Sequence, residues 1–203
     1  PYVAYAQTPP AGSVGIHDIR YAGSGCPTGT VATNLSQDRQ AFTVLFDSFY
    51  VEAFGNKLAD QKTCQLHVDL DYPHGWTFTI FSVDTRGYAS LHDRNAQAKI
   101  KTHYKFQRGG ALSVENKKLR GPLELDYHYR SEIGLGRVKW APCSGNPRAN
   151  GLLLTTEIAV EIERDSEGLM TVDSQDGELK QTFGIAWKRC SNGQGNGRSN
   201  ASH

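Results

Sequence analysis

Several things are missing from this chain, and each absence excludes a class of protein. No apolar run approaches the roughly 20 residues that a membrane-crossing helix needs. Neither sign of charge is in excess: 22 basic residues face 21 acidic ones, for a formal net charge of +1. A nucleic-acid binder that works through a basic stripe would show an imbalance. There is no G-x-S-x-G nucleophile elbow, no H-E-x-x-H pair and no phosphate-cradling glycine loop. Position 1 is Pro, so the N-terminal His that a copper monooxygenase uses for its metal is absent. Methionine occurs once, at Met170, so Pro1 reads as a processed terminus. Helical periodicity is nearly absent; residues 56–63 are expected to form no more than one short turn.

What is present is enough for one packed core. The length of 203 residues suits a single medium domain. With 38% hydrophobic and 10% aromatic residues, the chain is not a disordered one. The four cysteines, Cys26, Cys64, Cys143 and Cys190, are widely scattered. None of them makes a C-x-x-C pair of the zinc or thioredoxin type. An even, scattered set fits structural disulfides formed in an oxidising compartment. Two N-x-S triplets, at Asn34 and Asn200, fit acceptors for glycosylation and also point to export. Asn34 lies near strand-like runs where a glycan would be accessible.

Four cysteines allow three pairings. The favoured one is Cys26–Cys64 with Cys143–Cys190. Cys143 and Cys190 close similar runs, Val138–Pro142 and Ile185–Arg189, and two strands that end alike can be joined at one end. Each bridge would close a loop of roughly 40 to 50 residues, worth about 3 to 4 kcal/mol in the chain-entropy account.

A period of two dominates the rest. Phe42, Val44 and Phe46 share one face of a run; Leu66, Val68 and Leu70 alternate with His67, Asp69 and Asp71. Trp76, Phe78 and Ile80 alternate with Thr77, Thr79 and Phe81, and Leu123, Leu125, Tyr127 and Tyr129 with Glu124, Asp126, His128 and Arg130. Ile158, Val160 and Ile162 and then Phe183, Ile185 and Trp187 close the series. Such alternation is the mark of antiparallel sheet with one buried and one wet face. Turn clusters separate the runs, and Asp176-Gly177 between two of them predicts a hairpin. The expected fold is all-β: an antiparallel β-sandwich of about ten strands, with the jelly roll as one candidate topology. The expected layout is an extended arm over 1–13, one sandwich over 14–190 and a loose polar tail over 191–203. Trp76, Trp140 and Trp187 are expected in the core.

Gly23-Ser24-Gly25-Cys26-Pro27, Cys64-Gln65-Leu66, Tyr72-Pro73-His74-Gly75-Trp76, Arg86-Gly87-Tyr88, Gly121-Pro122-Leu123, Trp140-Ala141-Pro142-Cys143 and Trp187-Lys188-Arg189-Cys190 occur in this order. The order resembles the secreted "domain of unknown function 4360" family of fungi and bacteria over residues 14–190. The resemblance implies a small exported protein with four structural cysteines, and it brings no catalytic residue.

Candidate chemistry must therefore come from the residues. His67, Asp69 and Asp71 lie in a line on one wet strand face, about 6.5 to 7 Å apart. They could ligate calcium or another divalent ion. If the Glu124, Asp126, His128 row were their neighbour, the two rows could pair carboxylates as a glycosidase does. Ordinary solvated strand faces are the favoured account of both rows, so no resident cofactor is expected. Ser24 reads as part of a turn, and His17, His74, His92 and His103 stand singly. Aromatics suggest something else: Tyr72 and His74 in a turn, with Arg86 and Tyr88 beside it, could form a platform for stacking a sugar. The expected function is non-catalytic binding of carbohydrate or a cell surface by an extracellular protein. The alternatives are a carboxylate-dependent hydrolase using Asp69, Asp71 or Asp126, and a secreted effector or toxin acting on a protein.

Overall fold

The computed structural model describes residues 8–106, 111–143, 151–172 and 181–191. The strands are β1 (Gly15–Ala22), β2 (Val31–Leu35), β3 (Ala41–Phe46), β4 (Tyr50–Phe54), β5 (Ala59–Asp71), β6 (Trp76–Leu91), β7 (Gln97–Phe106), β8 (Leu112–Arg120), β9 (Leu123–Glu132), β10 (Leu152–Glu161), β11 (Glu167–Thr171) and β12 (Gln181–Arg189). All pairings between them are antiparallel. One sheet has five strands in the order β1-β5-β10-β7-β8. The other has seven, β2-β3-β12-β6-β11-β4, with β9 on the remaining edge of β6. The two sheets pack face to face as the expected sandwich. Among the described residues there is no helix. The helical turn expected over 56–63 is replaced by a tight turn at Gly55 and the start of β5.

The alternating apolar residues form the core. Phe42, Val44 and Phe46 from β3, Leu66, Val68 and Leu70 from β5, and Phe183, Ile185 and Trp187 from β12 are all buried. Phe42 stacks on its cross-strand partner Phe183 with ring centroids 5.3 Å apart. The phase slips once along β6. Gly184 pairs with Ser82 and Ile185 with Ile80, so Phe81 is an extra residue, a bulge. Both Ile80 and Val83 therefore point inward and are fully buried. Thr77 and Thr79, expected on the wet face, are buried as well. The chain after β9 covers this end of β6, and the two hydroxyls donate to the carbonyls of Ala141 and Lys139. Leu125, in phase with the core, is exposed; β9 is the outermost strand of its sheet. Trp76 and Trp187 lie in the core as expected, whereas Trp140 is only half-buried, with the Lys188 ammonium 4.2 Å from its ring centre.

Both expected disulfides are formed, Cys26–Cys64 and Cys143–Cys190. The hairpin expected at Asp176-Gly177 does not join its flanking strands to each other. β11 pairs with Leu91 to Ala89 of β6, and β12 with Thr85 to Trp76. Since β9 takes the opposite edge of β6 throughout, β11 and β12 follow one another along the same edge. The dipeptide itself falls outside the described residues, as do the expected tail over 192–203, Asn200 and most of the arm.

One polar network crosses the middle of the sandwich. Gln181 donates through Nε2 to Thr85 and Thr102 and accepts through Oε1 from Thr156. These residues come from both sheets. Glu115 joins them because Val114 is the extra residue of a second bulge, which turns Glu115 inward opposite Thr102. Its Oε2 accepts from Thr85 at 2.9 Å and Thr102 at 3.2 Å, while Oε1 is buried without a partner. Burial pushes this carboxyl up to about 7, against the hydrogen bonds from Thr85 and Thr102.

Candidate functional site: a groove on the seven-stranded sheet

The sequence-predicted residues divide between three places. His67, Asp69 and Asp71 lie on the outer face of the five-stranded sheet. There Arg20 takes the position a cation would occupy: its guanidinium is 3.2 Å from Asp69 and 3.0 Å from His67 Nδ1. Asp71 instead faces His17 at 3.3 Å. Among the described residues no three metal-ligating side chains converge on one point. Glu124, Asp126 and His128 lie on β9, in the other sheet. The two rows therefore occupy opposite outer faces, with the sandwich between them, so Asp126 cannot pair with Asp69 or Asp71 across a shared site.

The aromatic platform is split. Tyr72 is 7% exposed and packs edge-on against Phe78 and Trp187. The expectation that this turn residue faces solvent is wrong. The chain leaving β5 turns the ring inward to close that end of the core, and His74 and Gly75, at the tip, are exposed. Arg86 and Tyr88 lie on the outer face of β6, the latter about ten residues or 33 Å along the strand from Phe78. Asn34 is exposed on the edge strand β2. Ser24 accepts a hydrogen bond from the Thr63 N–H and serves its turn.

Around Tyr88 the outer sheet face is concave. A groove of about 350 Å³ crosses β4, β11 and β6, lined by Glu52, Phe54, Tyr88, Ser90, His92, Glu167 and Leu169, with the backbone of Ala53 and Gly168 beneath. Register explains its floor. Glu52 pairs with Leu169, Leu169 with Ser90, and Ser90 with Glu124, so four side chains form one row across four strands. Three inter-strand steps make this row about 14 Å long. Two residues further along β4, Phe54 stands opposite Glu167 and is 54% exposed. The Tyr88 hydroxyl donates to Glu124 at 2.8 Å, which fixes the direction of the ring and raises the phenol above its ordinary range. Tyr50, on the same strand as Phe54, has the Lys62 ammonium 4.0 Å from its ring centre.

Glu52, Phe54, Glu167 and Leu169 were not singled out from the sequence. A signal existed: in Tyr50-Val51-Glu52-Ala53-Phe54 the aromatics share the phase of the acid, not that of the buried Val51 and Ala53. Below the groove, Gly87 lets the Tyr127 ring lie across β6 so that its hydroxyl donates to the Thr171 carbonyl at 2.5 Å. A Cβ at Gly87 would come within 2.1 Å of that carbonyl oxygen.

These features define a secreted, disulfide-bonded β-sandwich that presents an aromatic and acidic groove on one face. The described residues contain no free cysteine and no helix long and apolar enough to cross a membrane. The chain belongs to the family described as domain of unknown function 4360 (DUF4360), whose model matches residues 12–190. It is 34% identical over 188 residues to an uncharacterized secreted protein of Arthroderma benhamiae, covering 91% of this chain and 75% of that protein. Among solved structures, the N-terminal cellulose-binding domain of a Cellulomonas fimi β-1,4-glucanase is 11% identical with a TM-score of 0.28, covering 84% of this chain and 88% of that one. A TmCBM61 module in complex with β-1,4-galactotriose is likewise 11% identical, with a TM-score of 0.29, covering 86% and 90%. Scores this low carry no argument about site or ligand.

Proposed function

We propose that the protein is a non-catalytic extracellular binder of carbohydrate, and that the groove over β4, β11 and β6 is its binding site. The observation that carries this reading is an exposed ring, Phe54, and a half-buried one, Tyr88, both lining a groove with a row of polar side chains on a rigid sheet. A pyranose ring presents apolar C–H faces and equatorial hydroxyls. Aromatic faces bury the former, while Glu52, Ser90 and Glu167 can accept or donate to the latter. Arg86, on the same face of β6, adds donors at the edge of the surface.

The test is retention of the purified protein on insoluble polysaccharides, with Phe54→Ala and Tyr88→Ala compared with the parent. Loss of a stacking ring should weaken binding about tenfold, close to 1.4 kcal/mol. Neither ring belongs to the core, so the melting temperature should hardly move. Unchanged retention by both variants would refute the site. Hydrolysis of any of these polysaccharides by the parent would refute the non-catalytic reading.

A further inference from the structure

Resting on that reading, we propose that the groove selects glycans bearing free amines, such as β-1,4-linked glucosamine oligomers, over neutral or N-acetylated ones. The argument is charge complementarity. Two carboxylates, Glu52 and Glu167, line the groove, and Glu124 and Asp126 continue the acidic surface on β9. No Lys or Arg is among the lining residues. Among the described residues neither Glu52 nor Glu167 forms an ion pair, and Lys57, on the turn after Phe54, is already held by Asp60 at 3.0 Å.

Register sets the spacing. Glu52 stands opposite Leu169 and Glu167 opposite Phe54, so the two acids are diagonal neighbours on β4 and β11. Diagonal positions are separated by about 7 to 8 Å at Cα and somewhat less at Cβ. One ammonium group can donate to both carboxylates across that gap. The faces of Phe54 and Tyr88 attract the same charge through their quadrupoles. A neutral sugar leaves the two acids facing each other without a counter-charge, and an N-acetyl group adds bulk where the ammonium would sit. The chain as a whole is balanced at +1, so the acidity belongs to this surface and not to the protein at large.

The test is calorimetric titration with soluble hexamers of glucosamine, N-acetylglucosamine and glucose, at low salt and at a pH where the amines are protonated. The expected result is at least tenfold tighter binding of the glucosamine hexamer than of the other two, with the preference shrinking as salt rises. The double variant Glu52→Gln, Glu167→Gln should abolish the preference. Asp18→Asn with Glu157→Gln, an equal charge change on the opposite sheet, should keep it. Equal or tighter binding of either uncharged hexamer, or a preference that survives in the groove variant or disappears in the control, overturns the selectivity while leaving carbohydrate binding in place. If none of the three hexamers binds, the selectivity falls, and the carbohydrate reading is decided separately by the retention test on insoluble polysaccharides.

Discussion

Glu115 allows a sharp prediction about stability and pH. The side chain is 2% exposed, sits between the sheets, and has one carboxyl oxygen without a partner. Around it are the Thr85 and Thr102 hydroxyls, the phenols of Tyr127 and Tyr129, the Lys117 ammonium and the Asp84 carboxylate. Burial raises its pKa from 4.5 to about 7. Between these values the folded protein holds a proton that the unfolded chain has lost. Stability must then fall as pH rises, by about 1.4 kcal/mol per pH unit at most. Across the whole window from about 4.5 to about 7 the loss comes to about 3 kcal/mol. For a chain of this size that is roughly 6 to 12 °C in melting temperature. Three other carboxylates behave in the opposite way. Asp38, Asp60 and Asp93 are held below their ordinary range by hydrogen bonds and, for Asp60, by the Lys57 ammonium. Their contribution disappears only in stronger acid.

The assay is urea denaturation of the parent and of Glu115→Gln at half-unit steps from pH 4.5 to 8. The amide keeps the acceptor for Thr85 and Thr102 but cannot ionise. Its N–H donors lack a partner at this position, so the variant starts lower at acid pH, by about 1 to 3 kcal/mol. The quantity that decides is the difference in slope. Parent minus variant should fall by about 3 kcal/mol over the window and level off above it. Parallel curves, or a difference that grows with pH, would refute the reasoning. Either outcome would mean that water or a cation reaches the carboxylate, contrary to the burial described.

Two further predictions rest on packing. Trp187→Ala and Tyr72→Ala should each cost about 3 to 5 kcal/mol in urea denaturation, because both rings pack on each other and Trp187 is 3% exposed; a Tyr72 variant as stable as the parent would show that the turn is open to solvent. Gly87→Ala should destabilise the fold by several kcal/mol and lower the melting temperature accordingly, because its methyl would meet both the Thr171 carbonyl and the Tyr127 hydroxyl; a neutral result would mean that Tyr127 does not cross β6.

The period of two was enough to find the sandwich, because a residue buried on one face of a strand fixes the direction of every second neighbour. It failed where backbone geometry changes the phase. At Phe81 and at Val114 a single extra residue puts neighbours of both parities into the core, and no local sequence signal separates such a bulge from a mismatch. It also fails at Tyr72: Tyr-Pro-His-Gly does mark a turn, but the direction of the ring depends on packing against Phe78 of the next strand and Trp187, distant in sequence. The Asp-Gly signal suggested a hairpin between strands that instead share one edge of β6, a choice made by β6 itself and not by the turn.

The candidate groove shows the same division between local and non-local information. Tyr88 and Arg86 were legible as one edge of a surface, since both lie in the wet phase of a strongly patterned run. Their partners were not, because β4 and β11 meet β6 only through pairings across more than seventy residues of chain. Alternation says which side of a strand is wet, and strand order says which wet residues become neighbours. Glu52 and Glu167 are unremarkable charges in sequence and become a diagonal acidic pair only once β11 lies between β4 and β6. The reverse holds for His67 and Asp69: a ligand-like row in sequence, it becomes an ordinary ion-pair cluster once β1 brings Arg20 alongside. In both cases the function assigned to a strand face depends on the charge that its neighbouring strand delivers.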